Sequence, residues 1–426
     1  MTDDVAGFLA ELDGFIAAEI VPLQDEDDNA RFFDHRREWA RTDFEAGGVP
    51  RAEWRALLAR ARDMADRAGF LRYALPAELG GRGGSNLAMT IIREHLAAKG
   101  LGLHNDLQDE SSVVGNFPVV ALLHRFGTPE QRAEHIEDAI TGRRPIAFAL
   151  SEPDHGSDAT WMQTGATRSG ADWVINGAKR WNTGLPGATH DLVFARTSGS
   201  PGDAVGITAF LVPTDAPGFE VPFVWWTFNM PSDHAEVRLA DVRVPGSAVV
   251  GEVDRGLELA QHFVHENRIR QAAASLGAGA YCVAEAVRYA RERVTFGQPL
   301  ATRQAIQWPL AELHTEAAML RALIRDTAAH LDEEPDGLSG TTRLSAEVSM
   351  CNYRANRFVC EAADRAMQVH GGLGYSRHKP FEHIYRHHRR YRITEGSEEI
   401  QLRRVAQHLF GFTRESKDAS GRNAPR

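Results

Sequence analysis

Three segments of the chain carry residue types whose spacing could do chemistry. The first, AFALSEPDHGSD from Ala147 to Asp158, offers the hydroxyls of Ser151 and Ser157. Gly156 sits between them, and its missing side chain lets backbone approach a bound molecule closely. The second, Lys179-Arg180-Trp181-Asn182-Thr183-Gly184, sets an aromatic ring beside two hydrogen-bonding side chains at a strand end. The third joins Gln368–Gly372 to Thr394–Gln401, where the carboxylate of Glu395 stands ahead of Gly396 and Ser397. As residue types these would supply hydrogen bonds to a ligand, an aromatic platform and a titratable acid. Each also has an ordinary reading: a polar loop, a core aromatic, a glycine cap after a helix, an acid at a helix start.

The elements that must position them follow from periodicity. Apolar residues recur at helical spacing over 3–20, 51–68, Leu87–Lys99 and from Val119 to Ile140, with the glycine-rich turn Leu75–Gly84 among them. From about Pro145 to Pro245 the period becomes two. Asn176-Gly177, between Trp173–Ile175 and Ala178–Trp181, predicts a type I′ hairpin turn. Further short strands are expected at Asp191–Arg196, Val205–Val212, Phe219–Trp225 and Glu236–Val244, which suggests a small barrel or sandwich. After Gly256 the helical period returns. Ile269, Ala273, Leu276, Ala280, Val283 and Val287 mark one long helix, and Leu344, Val348, Cys351, Ala355, Phe358, Ala362, Ala366 and Val369 another. With 301–331 and a last helix after Gly396 they predict a bundle of about four members. The expected fold is mainly α with a central β-domain. Its blocks are an N-terminal helical domain over 1–144, a middle β-domain over 145–255 and a C-terminal four-helix bundle over 256–412, with a disordered tail over 413–426.

Composition excludes several function classes. A chain of 426 residues with 43% hydrophobic and 25% charged residues is an ordinary globular protein of two to three domains. The net charge of −10 gives no general pull on nucleic acid or anionic membrane. No stretch approaches the roughly 18 apolar residues that span a bilayer. The acidic N-terminus shows no basic region ahead of an apolar run, so a cytoplasmic location is expected. Cys282, Cys351 and Cys360 support neither a disulfide framework nor a zinc module, and no metal is expected.

The motifs SEPxxGSD, INGxKxWNTG, RxTFGxPL (Arg293–Leu300), QxxGG and EGSxEIQ, in this order on a helix–sheet–helix frame, resemble the acyl-CoA dehydrogenase family over about residues 55–410. The resemblance implies a tightly bound FAD, an acyl-CoA thioester substrate and α,β-dehydrogenation to the trans-2-enoyl-CoA, as in fatty-acid metabolism. Electrons would pass to an electron-transferring flavoprotein. Glu395 matches the base that takes the α-proton while flavin N5 takes the β-hydride. Phe148, Leu150 and Ser151 match residues lining the flavin ring, and Trp181 and Thr183 its other flank. Ser157 matches a position near the pyrophosphate and pantetheine, and Arg268 the arginine at the mouth of the acyl-CoA site. Arg293, Phe296, Gln304, Gln368, Gly371 and Gly372 match positions reaching the FAD of a neighbouring subunit, which implies a homodimer or dimer of dimers. Gly396 leaves room for the thioester, and Ser397 stands where the family usually has threonine.

The departures carry expectations too. Asp154 and His155 add titratable groups near the cofactor, Thr394 in place of an aromatic suggests a wider acyl pocket, and Glu399 stands where an amide is common. Asn267 occupies the position at which one branch of the family carries its base, with Glu266 its neighbour. His104–Asp106 and Glu110–Ser112 read as pocket wall or as plain loop. The basic run His383–Arg392 reads as a solvated face or as a phosphate contact. The rival functions are a flavin oxidase or monooxygenase on the same scaffold, and a non-catalytic member.

Overall fold

The computed structural model describes residues 3–105, 112–334 and 342–411. Asp106, Glu110, Ser111, the side chain of Glu266 and the expected tail over 413–426 lie outside the described residues.

The N-terminal block is helical: Asp3–Phe15, Ala52–Arg67, Asn86–Ala97, Pro118–Phe126 and Pro129–Thr141. The single stretch expected over 119–140 is two helices. Pro129 cannot continue the first helix but suits the opening turn of the next. There Thr128 and Gln131 form a reciprocal capping box, Gln131 N–H to Thr128 Oγ1 at 3.2 Å and Thr128 N–H to Gln131 Oε1 at 3.0 Å. Trp54, Leu57, Ala61 and Ala65 recur every three or four residues, so one face of Ala52–Arg67 is buried against Leu12, Phe32 and Leu123.

One eight-stranded sheet follows. Its order is Val249–Val250, Ile207–Pro213, His190–Arg196, Gly165–Ser169, Asp172–Thr183, His234–Pro245 and Phe219–Glu220, with Ile146–Ala149 parallel to His190–Arg196. The first three residues of the segment Ala147–Asp158, read as a polar loop, are thus strand. The hairpin expected at Asn176-Gly177 is absent: Asp172–Thr183 runs straight through it, and the turn lies at Gly170, φ +66°. Asn176-Gly177 is instead a bulge against His234–Pro245. Asn176 Nδ2 donates to Asp241 Oδ1 at 3.1 Å and its Oδ1 accepts from Asp241 N–H at 2.8 Å, replacing the lost ladder bonds. A Cβ on Gly177 would lie 2.7 Å from Thr164 Cα, so only glycine fits. Phe219–Trp225 keeps only Phe219–Glu220 as strand.

Four helices form the C-terminal bundle: Gly256–Glu292, Gln304–Glu333, Thr342–His370 and Glu398–Leu409. Ile269, Ala273, Leu276 and Val283 pack with Val348, Cys351, Ala355, Phe358 and Ala362. The first of these helices also lies against Asn86–Ala97 at very short range. A Cβ on Gly277 would lie 2.3 Å from the Glu94 carbonyl oxygen and 2.9 Å from Ala97 Cβ.

The basic run is not a solvated face. It forms Phe381–Arg389 and the turn Arg390–Arg392, and His383, His387 and His388 are buried. Arg386 pairs with Glu382 at 2.7 Å, Glu382 pairs in turn with the buried Arg37, and Arg392 pairs with Glu398 at 2.9 Å. His388 Nδ1 meets Ser275 Oγ at 3.0 Å and His387 Nε2 meets the Tyr391 hydroxyl at 3.1 Å. Burial holds all three imidazoles well below their ordinary value, His388 at about 3, with Arg41, Arg37 and Arg386 adding to the effect at His383.

Two predictions follow from this packing. Gly277→Ala should lower the melting temperature, because the overlap with backbone costs about 1–3 kcal/mol and outweighs the helix-propensity gain of about 1 kcal/mol. Gly14→Ala, exposed in a helix with open space around it, should raise stability by about 0.4–1 kcal/mol. Thermal scans of both variants check the pair, and equal shifts would contradict it. Second, the buried histidines are neutral in the folded chain but take up protons near pH 6.5 when unfolded. Their contribution is complete above that pH and falls by about 1.4 kcal/mol per pH unit per histidine below it. The melting temperature should therefore drop between pH 6.5 and pH 5, and a flat profile there would mean that they are not buried neutral.

Candidate active site

The base loop comes first. Glu395 and Gly396 have φ of +58° and +85°, two successive left-handed residues between the Arg390–Arg392 turn and the last helix. For a residue with a side chain this backbone costs roughly 1–2 kcal/mol, so it needs partners. Arg268, from the first bundle helix, donates through Nε to the Glu395 carbonyl at 2.8 Å and through Nη2 to the same oxygen. Gln401 Nε2 donates to the Gly396 carbonyl at 2.8 Å. A Cβ on Gly396 would collide with the Arg268 guanidinium, so the position requires glycine on two counts. Asn352 Nδ2 in turn donates to the Arg268 carbonyl at 2.8 Å, and Gln401 Nε2 and Asn356 Nδ2 each donate to Asn352 Oδ1 at 3.0 Å. Arg268 was expected at the mouth of a substrate channel. It is instead 2% exposed, under the loop, with burial pulling its pKa down to about 10, so it remains a cation at neutral pH. The Glu395 side chain accepts from Asn267 Nδ2 at 3.3 Å. The acid at the helix start is not Glu395 but Glu398, which Arg392 and Arg357 hold at about 2. Glu399 is exposed, Thr394 and Ser397 are half-buried, and Ser397 caps the helix without a side-chain bond.

A second cluster forms around the two motifs of the sheet. Lys179, fully buried, donates to Glu152 Oε1 at 3.0 Å and to the Leu150 carbonyl at 3.2 Å. Glu152 also accepts from the N–H groups of Gln163 at 2.6 Å and Thr164 at 2.8 Å, and Arg180 N–H donates to the Ser151 carbonyl at 3.0 Å. Burial pulls Lys179 down to about 8 against the raising effect of Glu152. These bonds lock 150–152 onto the strand that carries Trp181. A second register shift between Arg180 and Asn182 leaves Trp181 outside the ladder with φ +66° and its ring 49% exposed. A bulge re-aims a side chain in this way, and so bulky a residue at positive φ is rare. The ring lies 5.0 Å from that of Trp225, over which Arg180 sits, also at 5.0 Å. Thr183 Oγ1 lies 3.0 Å from His234 Nδ1.

The two clusters meet through one helix. Phe148 stacks on Phe263 at 4.1 Å and 12°, and Phe263 precedes Arg268 by five residues, about 7.5 Å along the helix. Phe148 is thus brought to the same helix that holds the Glu395 loop through Arg268. Ser157 and Asp154 are exposed, and His155 is half-buried, accepting from Gln163 Nε2 at 3.2 Å. His104 is buried with Nε2 on the Leu96 carbonyl at 3.2 Å, which favours the loop reading there.

Arg293, Phe296, Gln304, Gln368, Gly371 and Gly372 do not join these clusters. All six are exposed, Phe296 by 97% at the tip of a short hairpin. Tyr289 stacked on His370 at 4.2 Å brings the ends of two bundle helices together, so all six share one end of the bundle. The Lys179–Glu152 pair and the Asn267 contact escaped the reading of the sequence. The first had a signal, opposite charges in two adjacent motifs, whereas the second had none. Among the described residues no group of three or more His, Cys, Asp or Glu side chains could hold a metal, and no helix is long and apolar enough to cross a membrane. The residues fit a flavin nucleotide: the half-exposed ring of Trp181, the hydroxyl-bearing side chains of Ser151 and Ser157, and open space where a Cβ at Gly156 would stand.

Comparison with known proteins agrees. Residues 31–143, 147–242 and 254–410 match the N-terminal, middle and C-terminal domain models of acyl-CoA dehydrogenase. The chain is 33% identical over 354 residues to a 3-(aryl)acrylate reductase of Clostridium sporogenes, covering 80% of this chain and 88% of that one. It is 30% identical over 334 residues to the caffeyl-CoA reductase-Etf complex subunit CarC of Acetobacterium woodii, covering 78% and 85%. The solved acyl-CoA dehydrogenase of Geobacillus kaustophilus superposes with a TM-score of 0.75 at 26% identity over 96% of this chain and 98% of that one. With all three domains matched in order, the chain belongs to the acyl-CoA dehydrogenase family of FAD-dependent oxidoreductases.

Proposed function

We propose that the protein catalyses α,β-dehydrogenation of an acyl-CoA thioester, with Glu395 as the base that takes the α-proton. The observation that carries this reading is the presentation of Glu395 on a left-handed loop clamped by Arg268, Gln401 and Asn267. The clamp leaves the carboxylate aimed by a fixed backbone, and the missing side chain of Gly396, expected to make room for the thioester, instead makes room for the Arg268 guanidinium that holds the loop. The Glu395 N–H would polarise the thioester carbonyl, which makes the α-proton more acidic. Bound FAD would supply the acceptor for the β-hydride. Phe148, Leu150, Ser151, Trp181 and Thr183 would hold its ring, with Ser157 near the phosphates and pantetheine.

The same arrangement serves the reverse reaction, in which the protonated Glu395 returns a proton to Cα. The printed names of two relatives, a 3-(aryl)acrylate reductase and a caffeyl-CoA reductase subunit, favour testing that direction. The second of these names also supports an electron-transferring flavoprotein as redox partner. Oxygen uptake with an acyl-CoA, with and without an artificial acceptor, separates the dehydrogenase from an oxidase.

Glu395→Gln should leave the protein folded, yellow and able to bind acyl-CoA. Its flavin should bleach at least 100-fold more slowly in anaerobic stopped flow, since general-base catalysis supplies about 10²–10⁴-fold. A rate within threefold of the parent would move the base elsewhere. The exposed end carrying Arg293 and Gln368–Gly372 supports a cofactor site completed by a second copy of the chain. Arg293→Ala should therefore lose FAD on dilution while its far-ultraviolet spectrum stays unchanged, and sedimentation should show a dimer or larger. A monomer that retains flavin would contradict the shared site.

A further inference from the structure

We infer that Asn267 is a positioning residue for the base, and that a polar relay anchored on Arg270 fixes which end of its amide faces Glu395. The inference rests on the reading of Glu395 as the base. Asn267 and Arg268 are consecutive on the first bundle helix, and both are buried. Arg268 holds the main chain of Glu395 while Asn267 holds its side chain, Nδ2 donating to Oε1 at 3.3 Å. One helix turn thus constrains both the loop and the carboxylate.

An amide has two different ends, and only the nitrogen end suits an ionised carboxylate. What decides the orientation lies on the other side. Asn267 Oδ1 accepts from Asn116 Nδ2 at 3.0 Å, and Asn116 Oδ1 accepts from Arg270 Nη1. A guanidinium only donates and stays charged at any working pH. Arg270 therefore obliges Asn116 to turn its oxygen toward it and its nitrogen toward Asn267. Asn267 must then turn its own oxygen to Asn116 and its nitrogen to Glu395. The direction of every bond is set by a cation that does not touch the base.

The consequence is electrostatic as well as geometric. A donor to the carboxylate favours its ionised form, the form competent to take a proton. The donor is a neutral amide, so it orients the carboxylate without adding a second charge to that of Arg268, whose guanidinium bonds the Glu395 main chain. Asn116 lies just before the helix Pro118–Phe126, so the relay also ties the N-terminal block to the base loop.

The experiment uses the FAD-loaded full chain and two isosteric substitutions, Asn267→Leu and Asn116→Asp. The first removes the donor. The second places an acceptor where Asn116 donates, so Asn267 must flip and turn its oxygen to Glu395 although the base itself is untouched. Flavin reduction is followed against pH with the fastest of butanoyl-, octanoyl- and 3-phenylpropanoyl-CoA. In both variants the rise of rate with pH should move to higher pH by about one pH unit, with KM within threefold of the parent. A readout independent of turnover is a thermal cycle of Asn267→Leu with Glu395→Leu. The melting temperatures should be non-additive, with Asn267→Leu costing less once the carboxylate is gone. If Glu395→Gln is inactive while the pH profiles stay in place and the cycle is additive, the relay is overturned and the base assignment stands. If Glu395→Gln reduces its flavin at the parental rate, the base assignment falls and the relay falls with it.

Discussion

The contact between Arg268 and the Glu395 carbonyl is the constraint on which the site depends. Two left-handed residues in succession are unstable in a free loop, and a charge-assisted bond of about 1.5–3 kcal/mol is what offsets them. Burying a guanidinium is itself costly, and the structure braces the residue that carries it through its main chain, where Asn352 donates to the Arg268 carbonyl. Asn352, Asn356 and Gln401 are fully buried and bonded to one another, to Arg268 and to Gly396. The bundle core is therefore not simply apolar. It carries a polar strut that reaches the loop presenting the carboxylate.

The cofactor side is built on the same logic with a different pair. Lys179 and Glu152 come from the two motifs that flank the proposed flavin ring, and their ion pair joins those motifs. A buried pair is weak evidence for stability, because desolvation consumes most of the Coulombic gain. Its value here is positional: removing either partner would leave a buried charge, so 150–152 and the Trp181 strand cannot drift apart cheaply. The bulge at Trp181 then turns one ring out of the ladder and leaves it half-exposed.

The histidine seam shows how misleading charge can be when read from composition. Ten residues with seven basic or imidazole-bearing neighbours look like a solvated or phosphate-binding face. Helical phase instead puts His383, His387 and His388 on one buried side, separated by four and five residues, while the arginines reach outward to Glu38, Glu382 and Glu398. Charge counts cannot reveal that partition, because it depends on helical phase and on partners such as Glu38 and Ser275 that stand far away in the chain.

The sequence by itself determined the order of helices, sheet and bundle, because periods of 3.6 and two are local properties of hydrophobic spacing. It also determined the family, because five motifs kept their order, and with the family came Glu395 as the expected base. What it could not determine was anything resting on a partner distant in the chain. Asn176-Gly177 has the composition of a hairpin turn, yet Thr164 and Asp241 make it a bulge. Arg268 matches a family position but acts through a carbonyl 127 residues away. Asn116 carries no local signal, and only the docking of its loop on the first bundle helix places it against Asn267. Local pattern is written by neighbours in sequence, whereas the orientation of a buried polar group is decided by whichever donor or acceptor the tertiary fold sets beside it.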